Sequence, residues 1–350
     1  MRRPFRSLNI SRVALALATA IALLPLGVDA QGTVPASEPQ PPVLVPIESA
    51  TVTASPLPEA QVESQHAPAA GAAVDFITPH ITDSRHLEIP WPNAHLAKEI
   101  ELPQWPPVHI GGIEIDLSPT KHVVFLLLGA TLACLMLIGA ANASRRQHNE
   151  SGHVRGAAGG IEALALYLRN EVVLPNVGHH GEKFVPFAMT LFFFILCCNL
   201  LGLIPYGSTA TGNISVTATL AIITFFVVEL AGIRANGLGY LNTMFYWNKE
   251  LPIVMRVLLF FVMSPVEMLG KLTKPFALMI RLFANMTAGH IVLLAIIGLI
   301  FSFQNWYITG APVLMATAIS MLELFVSFLQ AFIFTLLASV FIGQIREAHH

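Results

Sequence analysis

Between Arg281 and Glu323 the chain carries no Asp, Glu, Lys or Arg. That one stretch, apolar along most of its length, excludes more folds than any other feature of the sequence. A helix on the surface of a soluble protein keeps a charged or polar face, and here there is no charge to build one. In hydrocarbon, backbone polar groups can be satisfied only within the protein, so a spanning segment folds as a helix. About 20 apolar residues cross the ~30 Å hydrocarbon core. The stretch therefore takes the end of one spanning helix, a loop at 303–312 and the start of another.

Arg281 stands at the edge of that run. A guanidinium does not shed its proton, and placing it inside hydrocarbon costs from ~2.5 kcal/mol on insertion scales to above ~10 in simulations. It persists only where water, a polar partner or a carboxylate reaches it. An arginine near a helix end can snorkel to the headgroups. The other reading is a fixed positive charge on an ion path. Lys271 and Lys274 already mark the interface two to three turns earlier, which favours the ion path.

The whole chain has the matching composition. Of its 350 residues 54% are hydrophobic and 11% charged, with a mean hydropathy of +0.65; soluble domains carry about 25% charged residues. The expected class is an all-α polytopic membrane protein. A formal net charge of −2 argues against nucleic acid as a partner. Cys134, Cys197 and Cys198 fall in apolar runs, which gives neither a disulfide framework nor metal-ligand spacing. Neighbouring Cys197 and Cys198 read as small helix-packing residues. No Walker loop, zinc signature or Ser/Cys nucleophile motif occurs, so no catalytic residue, cofactor or metal is expected.

Taken in order, residues 1–30 resemble a signal peptide. Arg2, Arg3, Arg6 and Arg12 precede an apolar Val13–Leu24 and a cleavage-like Val28-Asp29-Ala30; an uncleaved anchor is the alternative. An external, largely disordered Pro/Ala-rich extension follows over 31–104. Residues 31–121 hold eleven Asp/Glu against three Lys/Arg, which suits a translocated segment. His66, His80, His86, His95 and His109 match no ligand spacing and read as surface histidines. The alternation around Gly111-Gly112 predicts a small hairpin.

The membrane domain, 105–350, is expected to hold five spans, at about 122–143, 185–205, 214–233, 273–302 and 313–344. The segment 160–175 reads as an amphipathic helix on the inner surface. Residues 251–270 are interrupted by Arg256, Pro265, Glu267 and Lys271, so an in-plane or re-entrant helix is expected there. Arg145, Arg146, Arg155, Arg169 and Lys183 share one side, while the loops 206–213 and 303–312 carry no Lys or Arg. The positive-inside rule then places the mature N-terminus outside and, after five spans, the C-terminus inside.

A sparse polar set sits within these spans. His290 follows Arg281 by nine residues, ~13.5 Å along the axis and about half a turn round. Glu323 is the only charge between Leu282 and Ile345, and Gln330 follows it two turns later on the same face. Asn285 stands one turn from Arg281. A His and a Glu near one outer level are what a proton path needs; a structural His–Glu hydrogen bond between helices is compatible with it. Glu267, on the inner side of Arg281, is either an inner-path group or an interfacial carboxylate. Asn199, deep in the second span, is either polar glue or a water-lining group.

The block K-x-x-K-P-x-x-L-x-I-R-L-F-A-N-M-T-A-G-H (271–290), the later L-x-x-F-V-S-F-L-Q-A-F-I-F-T-L-L, and N-L-L-G-L-I-P (199–205) resemble the subunit a family of F-type ATP synthases. The resemblance covers about 105–346. It implies a proton-conducting stator of the bacterial inner membrane, with two long tilted C-terminal helices facing a rotating ring of subunit c. It also implies subunit b of the peripheral stalk and the rest of the synthase as partners, alongside membrane lipid. Arg281 matches the family's essential arginine, Gln330 the glutamine beside it and Asn285 the asparagine one turn on. His290 and Glu323 match the two outer half-channel positions, in the order common in mitochondria rather than in many bacteria. Where many bacterial members carry a carboxylate in the second span, this chain has Gly202.

Two rivals remain beside that reading. A secondary transporter binding a small anion at Arg281 would be expected to show internal repeats, and five spans do not divide into halves. A passive anchoring subunit would need none of the buried Arg, His, Glu and Gln.

Overall fold

A computed structural model describes residues 86–89, 98–104, 108–110, 113–115, 118–151, 156–178, 181–204, 207–240, 252–302 and 306–347. The signal peptide expected at 1–30 and most of the extension at 31–104 lie outside the described residues. Two antiparallel hairpins come first. β1 (His86–Ile89) pairs with β2 (Lys98–Glu101), and β3 (Val108–Ile110) pairs with β4 (Ile113–Ile115). The second is the hairpin that the alternation around Gly111-Gly112 predicts.

Helices account for most of the rest. They are α1 (Lys121–Ser151), α2 (Gly156–Tyr167), α3 (Leu174–Val177), α4 (Val185–Gly202), α5 (Ile214–Asn236), α6 (Ile253–Ser302) and α7 (Trp306–Glu347). Five of them, α1 and α4 to α7, are long and apolar enough to cross a membrane. The chain is an all-α polytopic membrane protein, and each observed span contains most of the expected one.

The core is built round α4. This helix is apolar on every side, the pattern of a helix enclosed by others, and Phe192, Phe193 and Ile195 are wholly buried. The Phe192 ring meets Phe193 edge-on at 5.1 Å and Phe328 of α7 at 5.6 Å. On another side α1 presents small residues. Ala130 and Ala133 are buried there, and a Cβ on Gly129 would stand 2.7 Å from Cys198 Sγ. Small residues let spanning helices approach closely where no hydrophobic force separates lipid from protein. The packing role expected for Cys197 and Cys198 is the one observed.

Two expectations need correction. The 160–175 segment is helical, running through α2, a π-helical turn (Leu168–Val173) and α3. Its apolar residues Ala165, Leu168, Val172, Val173 and Val177 belong to the protein core. That stripe is therefore taken up by α1, α4 and α7, while Arg169 on the polar side pairs with Glu182 at 3.0 Å.

The separate in-plane or re-entrant helix expected at 251–270 is not separate. It is the first part of α6, one helix of 50 residues with Pro265 and Pro275 inside it. A proline removes one ladder hydrogen bond and bends the axis. Ending the helix would free several backbone groups that lipid cannot satisfy, so continuity wins. At 1.5 Å per residue α6 is about 75 Å long, far beyond the ~30 Å hydrocarbon core. Such a helix crosses only if steeply inclined, or if its inner part runs outside the hydrocarbon.

Candidate functional site

The packing of α6 decides where Arg281 goes. Leu278, Leu282, Met286 and Leu294 recur at multiples of four and are buried in the core. Side chains a third of a turn round are carried away from it. Ala277, Arg281, Ala284, Asn285 and Ala288 therefore form one exposed stripe. Arg281 and Asn285 stand on it among alanines, so a foreign helix could approach the α6 backbone closely there. Among the described residues no hydrogen bond or ion pair reaches Arg281.

Glu323 and Gln330 occupy the inward face of α7, with 6% and 5% of their surface exposed. A Cβ on Gly289 would lie 3.3 Å from Glu323 Oε1, so the missing side chain lets the carboxyl rest against the α6 backbone. This fixes the register of the antiparallel pair. Gln330 is seven residues beyond Glu323 and Leu282 seven before Gly289, which puts Gln330 about level with Leu282, next to Arg281 in sequence. Glu323 Oε2 and the hydroxyls of Ser327 and Thr335 are buried without a hydrogen-bond partner among the described residues. Unpartnered buried polar atoms are rare enough to call for a functional account. Glu323, Ser327 and Gln330 share one buried polar face of α7, and Thr335 and Ser339 are buried farther along the helix.

His290 is next to Gly289 and so at the level of Glu323. It lines a small cavity with His122, Ser208, Thr209, Gly212, Met286 and Thr287. Ser208 Oγ and His122 Nε2 are 3.3 Å apart, and the Thr287 hydroxyl donates to the Gly212 carbonyl at 3.4 Å. Gly202 has no room for a side chain, because a Cβ would stand 2.6 Å from Thr209 Cβ. Asn199 is committed to packing. Its amide donates to the Ser327 carbonyl at 3.2 Å and accepts from the Thr211 hydroxyl at 2.6 Å, joining α4, α7 and the 210–212 turn.

Toward the other end of α6 a cleft is lined by Glu229, Glu267, Lys271, Lys274, Gln344 and apolar neighbours. Glu267 is exposed in it. Lys271 donates to the Tyr240 hydroxyl at 3.0 Å, and Lys274 to Gln344 Oε1 at 3.2 Å. The lysines thus tie α6 to the end of α5 and to α7 while keeping positive charge on the cleft wall.

The structure brings His290 and Glu323 to one level, puts Gln330 about level with Arg281 but on the buried side, and keeps Glu267 in a separate cleft. The sequence reading missed Glu229, His122 and the Ser208–Thr211 turn. Glu229 had a visible signal, a lone carboxylate in an otherwise uncharged third span. The hydroxyls had none, since only the fold brings that turn beside α1 and α6.

Known proteins match the chain over most of its length. A model of the family described as ATP synthase A chain matches residues 123–343. The chain is 46% identical over 239 residues to "ATP synthase subunit a" of Chloroherpeton thalassium, covering 68% of this chain and 69% of that protein. It is 40% identical over 346 residues to "ATP synthase subunit a 2" of Chlorobium luteolum, covering 94% and 95%. With "ATP synthase subunit a" of Pelodictyon phaeoclathratiforme it shares 38% over 351 residues, covering 98% and 96%.

Proposed function

The chain belongs to the ATP synthase A chain family, and from that premise we propose that it is the stator of the membrane sector, offering two offset proton paths to a rotating carboxylate-bearing ring. The observation that carries the reading is Arg281, a permanent charge on an exposed, alanine-lined stripe of a spanning helix, unanswered among the described residues of its own chain. Its cost in hydrocarbon is relieved if the ring supplies an ionised carboxyl to face it.

The mechanism follows from charge. A proton enters from outside, passes His290 and Glu323, and neutralises a ring carboxylate. The neutral carboxyl can turn into lipid, whereas the charged one cannot do so at tolerable cost. Approaching Arg281 from the other side, the carboxyl meets a fixed positive charge and ionises. Its proton leaves inward through the cleft that holds Glu267 and Glu229. Arg281 also repels any proton crossing directly between the two paths. Each proton delivers ~2.3 kcal/mol per 100 mV. The buried Gln330 holds α7 at the level of Arg281, and Asn285 offers a neutral polar contact one turn on. Subunit b would hold this stator against the torque of the ring. The mature N-terminus lies outside and the C-terminus in the cytoplasm.

The test is ATP-driven proton pumping by the assembled complex carrying Arg281→Ala or Arg281→Lys. Both should assemble, because assembly rests on the buried face of α6, and both should lose pumping. Lysine keeps the charge but not the delocalised planar fork. Coupled pumping at the normal rate in the lysine variant would refute the reading.

A further inference from the structure

We propose that His122 is a third titratable group of the outer path, taking protons at the start of α1 and passing them across the Ser208–Thr209 turn to His290. The proposal rests on the proton-path reading above and adds a residue to it. Its basis is a juxtaposition. His122 and Lys121 open α1 and are both buried, although they follow an acidic, polar segment. His122 and Ser208 are in hydrogen-bond contact at 3.3 Å. The same small cavity is lined by His122, Ser208 and Thr209 at one side and by Thr287 and His290 at the other.

An imidazole, alone among ordinary side chains, gains and loses a proton near neutral pH, and either ring nitrogen can take it up while the other releases. A hydroxyl both donates and accepts, so Ser208 can hand a proton on by rotating. Two imidazoles and three hydroxyls round one cavity make a relay, where a packing site would need only apolar atoms. The charged and titratable groups facing the cavity are few. They are His122 of α1 and His290 of α6, with Lys121 beside the first in sequence and Glu323 resting on Gly289 beside the second. The 207–213 turn contributes hydroxyls and no charge.

The experiment measures passive proton flux, at fixed membrane potential and varied outer pH, through vesicles holding the membrane sector stripped of its ATP-hydrolysing part. His122→Gln keeps a hydrogen bond to Ser208 but cannot titrate, and it should lower flux severalfold with the subunit present in normal amount. His122→Glu restores a proton-exchanging group, so it should recover much of the loss, with the pH dependence moved toward acid because a carboxyl exchanges protons at lower pH than imidazole. Wild-type flux and pH profile in His122→Gln would overturn the proposal. So would a His122→Glu variant no better than His122→Gln, since His122 would then only position the turn. Glu323→Gln in the same vesicles separates the two levels of argument. Loss of flux there with normal flux in His122→Gln removes His122 alone, whereas normal flux in Glu323→Gln removes the outer-path reading and the proposal with it.

Discussion

His290 and Glu323 stand on two neighbouring helices, and coupling between them is the property that a shared path would demand. Glu323 rests on the backbone of Gly289, so His290 and the carboxyl stand at one level of α6. Each single change to an apolar residue should slow passive flux while leaving the Arg281 stripe intact. The two effects should be strongly non-additive, since groups in one network couple by ~0.5–3 kcal/mol. The reciprocal swap, His290→Glu with Glu323→His, restores one carboxyl and one imidazole, and should recover more flux than either half. A half-swap leaves two like groups together, whose protonations push apart. Simple addition of the single effects would separate the residues into two sites. At this scale the sequence was legible wherever chemistry was out of place: Arg281, His290, Glu323 and Gln330 are polar residues in apolar runs. It was mute where the determinant is the absence of a side chain, as at Gly289 and Gly202, because nothing local says which atom will occupy the space.

The elements show the same division. Five spans were readable from apolar length, but the boundaries of α6 were not, because charges and prolines at 256–271 look like an interruption in one dimension. The helix survives them since its ladder is lost at only two prolines, and the alternative would expose backbone to lipid. The amphipathic α2–α3 segment shows the complementary failure. Its stripe was visible, yet the surface that would cover it depended on where α7 returns. That return is close. A Cβ on Gly343 of α7 would stand 3.0 Å from the Asn176 carbonyl carbon, and the Arg346 guanidinium donates to the Val177 carbonyl at 3.0 Å. Gly343→Leu should therefore push α7 from α3 and destabilise the subunit by ~1–3 kcal/mol, the usual cost of overpacking. Thermal aggregation of the detergent-purified subunit would report it as a lower midpoint, and an unchanged midpoint would show that the α7 end is free to shift.

At the scale of the molecule the membrane part and the segment before it obey different physics. The core among the described residues begins at Leu126 and closes through Ile342, and the family match spans 123–343. Residues 31–70 are rich in Pro, Ala, Ser and Gln and contain no Phe, Trp or Tyr, a composition from which no packed core is expected. Deleting 31–100 from the mature chain should therefore leave α1 to α7 able to insert, pack and pump. The deletion spares β3, β4 and the start of α1, so His122 keeps its place beside Ser208. Subunit content of the membranes and ATP-driven pumping of the complex would both be measured, because they fail for different reasons. Normal content with normal pumping is the expected result. Loss of the subunit from membranes would mean that the extension serves insertion or docking. Normal content with slow pumping would place it at the outer mouth of the proton path, where its acidic residues raise the local concentration of cations.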